Sequence, residues 1–122
     1  MKTIDLGNAK IYLVDDHIVL FEANADVVID KDVAQSFYDG IEAHVAGSYS
    51  LIINRKNKYQ LLRFEVFHLI NSRVRLQSLA IVAPKDSAQK MAQIEAPLCQ
   101  KPFATFCSVD DAVAWLKTFH QE

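Results

Sequence analysis

Glycine and proline are scarce in this chain. Gly7, Gly40, Gly47, Pro84, Pro97 and Pro102 are all it has in 122 residues. So few breakers exclude a low-complexity or linker-rich chain and favour one continuous domain over residues 1–122. Cysteine is equally sparse. Cys99 and Cys107 make no CxxC pair, which excludes a disulfide scaffold and leaves two small thiols kept reduced. No apolar run approaches the roughly 20 residues of a membrane helix, so stable membrane insertion is not expected. Asp5 interrupts the N-terminus before a signal-peptide core can form, and the expected location is the cytoplasm. A large charge of one sign is missing too. A net charge of −2 argues against a general nucleic-acid binder.

Recurrent catalytic and cofactor motifs are also absent. No GxGxxG or Walker loop provides a phosphate cradle, and no cofactor is expected. His17, His44, His68 and His120 stand at neither HxxxH nor HExxH spacing, so no metal site is expected and surface or structural roles are assigned to all four. Asp15-Asp16 has no third acid at calcium-loop spacing and reads as a turn. Ser48 and Ser50 flank Tyr49 without the G-x-S-x-G elbow that exposes a nucleophile.

What is present is regular hydrophobic patterning. Ile11, Leu13 and then Ile18, Leu20 bracket Asp15-Asp16-His17 and predict an antiparallel hairpin. Asp30 is placed to cap a helix whose stripe is Val33, Phe37, Ile41 and Val45, with Gly47 as its stop. Tyr49–Ile53 predicts a strand, and its unbroken Leu51-Ile52-Ile53 run suits a centre covered on both faces. Leu62, Val66, Leu69 and Ile70 recur at helical spacing. Leu79, Ile81 and Val82 predict another strand before Pro84, and Asp86 or Ser87 opens a helix with Met91, Ile94 and Glu95. Phe103–Cys107 predicts a short strand. Ser108, with Asp111 three residues on, caps a last helix lined by Val109, Ala112, Val113, Leu116 and Phe119, with Trp115 beside them. The order implies an α/β fold: a mixed, mostly parallel sheet of about five strands with an N-terminal antiparallel hairpin and about four helices.

Charge is unevenly spread. Met1 to Glu42 holds three lysines against nine acids, and Asn54 to Lys101 holds nine basic residues against three acids. Such a bipolar chain either self-associates through opposed patches, selects an acidic partner, or intermixes the two sets on folding.

This order, with the closing segment FATFCSVDDAVAWL, resembles the SpoIIAA-like family of STAS domains, also described as STAS/SEC14-like. LQSLAIVAPKD is similar to that family's penultimate core strand, and LIINRKNKY looks like the strand and Asn-Arg loop of one bacterial branch. The similarity runs from about Lys10 to Phe119. It implies a non-catalytic regulatory or protein-interaction module, expected as a homodimer with a possible protein partner. STAS antagonists carry a phosphorylatable serine or threonine after a central strand. Here Asn54-Arg55-Lys56-Asn57-Lys58 holds that place, so the phosphoswitch does not carry over.

The alternative is a small-molecule or lipid-binding protein with a pocket beside the Asn54–Tyr59 loop, taking a small acidic or lipid ligand. In open α/β sheets ligands bind beyond the carboxyl ends of strands, near helix N-termini. Arg55 suits a carboxylate or phosphate, Asn54 and Asn57 orient it, and Tyr59 closes the pocket. Phe64 and Phe67 form a possible apolar contact face, because Phe64, Val66, Phe67, Leu69 and Ile70 are more than one helix stripe needs. An enzyme built on Arg55 and Tyr59 is not expected, since no positioned base or nucleophile is readable.

Overall fold

The computed structural model describes residues 2–120, the side chain of Met91 excepted. Eight strands and four α-helices follow in the order β1 (Lys2–Asp5), β2 (Ala9–Leu13), β3 (Ile18–Ala23), β4 (Val28–Ile29), α1 (Lys31–Glu42), β5 (Tyr49–Asn54), β6 (Gln60–Leu61), α2 (Arg63–Ser72), β7 (Leu76–Val82), α3 (Lys85–Glu95), β8 (Phe103–Phe106) and α4 (Val109–Lys117). A 3-10 turn, Ala96–Leu98, follows α3.

Six strands form one sheet in the order β1-β2-β3-β5-β7-β8. The first three run antiparallel and the rest pair in parallel. The predicted mixed sheet, N-terminal hairpin and four helices are all present. The sequence reading omitted β1, whose four residues are mostly exposed and carry no periodic apolar signal, and the two-residue strands β4 and β6.

Alternation along the strands sorts two cores. Tyr49 and Leu51 of β5 join Val19, Phe21, Leu79 and Ile81 under α1 and α2, while Ile52 turns the other way with Ile18, Leu20 and Ala80 under Ala112 and Leu116 of α4. β5 therefore lies at the centre of a three-layer sandwich, and its apolar run is buried on both faces. Helix starts follow local chemistry. The Asp30 carboxylate accepts from Val33 N at 2.9 Å, and Ser108 Oγ accepts from Asp111 N at 3.2 Å, each cap being worth about 1 kcal/mol. α2 and α3 differ, for neither has a side-chain cap at its first turn.

Folding joins the acidic and basic thirds of the chain. Arg73 pairs with Asp39 and Glu42, Arg75 with Glu42, and Lys56 with Glu22. Part of the charge asymmetry of the sequence is thus satisfied within the molecule.

Candidate functional site

The Asn54–Tyr59 loop leaves the carboxyl end of the central strand and is fixed on both sides. Arg55 N donates to Val82 O at 2.9 Å, and Asp26 N donates to Lys58 O at 2.8 Å. Then β4 and β6 pair in parallel, Val28 with Gln60 and Ile29 with Leu61. Asp26 takes a positive φ of 66° to make this approach, a conformation that aspartate tolerates better than most residues. The loop is therefore a constrained platform.

Pleating separates its side chains. Asn54 turns to the α4 face, where its amide donates to Glu22 Oε2 at 2.9 Å and Lys56 Nζ lies 3.0 Å from Glu22 Oε1. Arg55 turns to the α1/α2 face. Its two terminal nitrogens donate to both carboxylate oxygens of Glu95 at 2.6 Å, and Arg63 Nε adds a third bond at 3.1 Å. Glu95, the last residue of α3, is fully buried. A carboxylate there is tolerable only with such paired, charge-assisted bonds. Burial disfavours the Arg55 charge, but the Glu95 carboxylate and the Tyr59 phenol outweigh it and hold the guanidinium above its ordinary pKa. Burial likewise pushes the Tyr59 phenol up, against the opposing pull of Arg55.

Arg55 and Tyr59 stand between two spaces. Inward lies an apolar cavity of about 30 Å³ bounded by Phe21, Phe37, Ile41, Leu51, Phe67 and neighbours, room for about one water. Outward lies an open groove of about 690 Å³ whose walls include Arg55, Lys58, Tyr59, Arg63, Pro84 and Ser87. Its volume is within the range of small-molecule sites. Both uncapped helix starts border it, α2 through Leu62 and Arg63, α3 through Pro84 and Ser87. Arg55, Lys58 and Arg63 line the groove, the two arginines bonded to the buried Glu95, and among the described residues no aspartate, glutamate, histidine or cysteine lines it. Lys58 is exposed and makes no ion pair among the described residues.

Of the residues singled out by sequence, Arg55, Asn57 and Tyr59 line this groove. The Asn57 amide also donates to Ala23 O at 3.0 Å, so it anchors the loop to β3 rather than orienting Arg55. Asn54 lies on the opposite face. Phe64 and Phe67 part company: Phe64 is 79 % exposed, whereas Phe67 is 2 % exposed and packs against Phe103. Phe67 is a core residue, so only Phe64 remains for an outward contact. Leu62, predicted as part of the helix stripe, is 46 % exposed beside the groove. Sequence reading missed Glu95, Arg63 and Lys58 as members of the site. Arg63 and Lys58 were recoverable from their closeness to the loop; Glu95, 40 residues from Arg55, carries no local signal.

No group of three or more His, Cys, Asp or Glu side chains among the described residues is placed to hold a metal ion, and no described helix is long and apolar enough to cross a membrane. Comparison with protein-family models, curated proteins and solved structures gives no match.

Proposed function

We propose that this chain is a non-catalytic, STAS/SEC14-like binding module whose groove at the carboxyl ends of β5 and β7 takes a small organic anion. The observation that carries the reading is the groove itself, with the exposed Lys58 beside the Glu95-bound arginines, two uncapped helix N-termini and no carboxylate among its described lining residues. Helix starts and guanidinium groups both favour carboxylate or phosphate oxygens. Leu61, Leu62 and Tyr59 add an apolar wall for the rest of the ligand. Size limits the class. The inner cavity has room for about a methyl-sized extension, so a short-chain acid fits this conformation and a long acyl chain does not. The non-catalytic part of the reading is carried over from the sequence, in which no positioned base or nucleophile is readable.

Calorimetric titration of the full chain with hexanoate and with inorganic phosphate tests the proposal. Binding is expected for at least one of them, weakened tenfold or more by Lys58→Glu. Absence of heat for both at millimolar ligand, or equal affinity in the variant, would overturn it.

One observation favours a second reading. Phe64 and Leu62, exposed beside Arg63, suit contact with an acidic side chain and apolar neighbour presented by a protein partner, in keeping with a regulatory module or homodimer. Native mass spectrometry distinguishes the two. A dimer that Phe64→Ser converts to monomer supports protein contact; a monomer retaining a small acid supports the groove reading.

A further inference from the structure

The other end of the sheet holds a polar cluster that the groove does not involve. Ser50 of β5 and Ser78 of β7 are both fully buried on the α4 face, with Oγ atoms 2.5 Å apart. Ser50 Oγ also lies 2.7 Å from His120 Nε2. His120 follows α4 in a tight turn in which Phe119 N and His120 N donate to Leu116 O and Lys117 O. Its ring stacks on His17, with centroids 5.2 Å apart and planes within 7°. His17 Nδ1 lies 3.0 Å from Ser48 O, and since a carbonyl only accepts, that nitrogen carries hydrogen.

Counting protons fixes the state of His120. With Nε2 unprotonated, Ser78 donates to Ser50 and Ser50 donates to His120, so both buried hydroxyl protons are used. With Nε2 protonated, His120 donates to Ser50 and the chain reverses. Ser50 then donates to Ser78, and the Ser78 proton has no acceptor among the described residues in a fully buried site. An orphaned buried donor is costly. A charged His120 would also lie face to face with a second titratable ring, and two imidazolium ions in a stack repel.

From this geometry we infer that His17 and His120 form a pH-responsive latch that holds segment 118–120 against the sheet while His120 is neutral and releases it on acidification. Ser50 from β5 and Ser78 from β7 do not titrate in this range. The charged or titratable groups acting on His120 are His17 and Asp15, both in the β2–β3 turn. Asp15 only partly offsets the effect, and its Oδ1 already accepts from His17 N and Ile18 N at 2.8 and 2.9 Å. Burial, then His17, hold the His120 imidazole below the ordinary histidine range.

The sign follows from linkage. Below an ordinary pKa of about 6.5 the released segment binds more protons than the docked one, so docking strength falls as pH drops. Above that value the latch is at full strength. Release would loosen Phe119, whose ring meets Trp115 edge-on at 4.9 Å, and Trp115 is the chain's one tryptophan.

The test is Trp115 fluorescence and amide hydrogen exchange of the full chain between pH 8 and pH 5. Expected are a change in Trp115 emission and faster exchange at residues 118–120 as pH falls through about 6.5 to lower values, with β5 amides still protected. His120→Asn should abolish the pH dependence, and His17→Asn should move release to lower pH. Three results would overturn the latch: a flat response in the wild type, an unchanged transition in His120→Asn, or loss of β5 protection together with the segment.

Discussion

The parallel strands β3, β5 and β7 end differently at their two poles. At the amino pole, polar groups close upon their own chain. Glu42, at the end of α1, accepts from Tyr49 Oη at 2.8 Å and Arg73 Nε at 3.1 Å. Arg75 donates to Gly47 O at 2.8 Å, to Glu42 O at 3.2 Å and to Val45 O. These carbonyls follow the C-terminus of α1, where a cation complements the helix dipole. At the carboxyl pole, Arg55 and Arg63 are also paired, with Glu95, but Lys58 and two helix starts face open space. Arginine alone therefore does not mark a binding site. The distinction lies in whether the surrounding donors are already spent: at one pole helix C-termini and carbonyls absorb the cations, and at the other helix N-termini add to them.

The difference can be attacked by mutation, in descending order of expected effect. Glu95→Ala leaves Arg55 largely buried without its carboxylate, and chemical denaturation should show a loss of about 3–5 kcal/mol. Glu42→Ala at the amino pole should cost less, about 1–3 kcal/mol. Its carboxylate is partly solvated, and the main casualty is the Tyr49 hydroxyl, whose pKa is pushed up by burial and then by its bond to Glu42. An amino-pole loss equal to that of Glu95→Ala would remove the energetic contrast. Ala34→Val fills part of the inner cavity and should change stability by less than about 1.5 kcal/mol, leaving phosphate affinity intact. Lys58→Glu should alter the denaturation midpoint least, within about 0.5 kcal/mol, while it weakens anion binding most. That separation of stability from binding is what a solvated groove residue produces.

Much of the architecture was legible because the longer elements carried their own local signals. Asp30 and Ser108 announced their helices, and Leu51-Ile52-Ile53 announced a strand buried on both faces. The site was legible only in part. Arg55 and Tyr59 could be placed at a strand's carboxyl end, but whether Asn54 shared their side depended on strand pleat. Its amide points to Glu22, 32 residues away. The Arg55–Glu95 pair and the His17–His120 stack are long-range contacts between residues that look ordinary in sequence. Phe64 and Phe67, both apolar and three apart, were separated by the way α2 packs: one faces solvent and the other faces Phe103.

The most direct measurement is an NMR titration of backbone amides with inorganic phosphate and hexanoate, which reads both poles at once. The account predicts saturable shifts at Lys58, Arg63, Phe64 and Ser87, with His17, Gly47 and Arg75 unmoved. Shifts confined to the amino pole, or none at either pole, would contradict it.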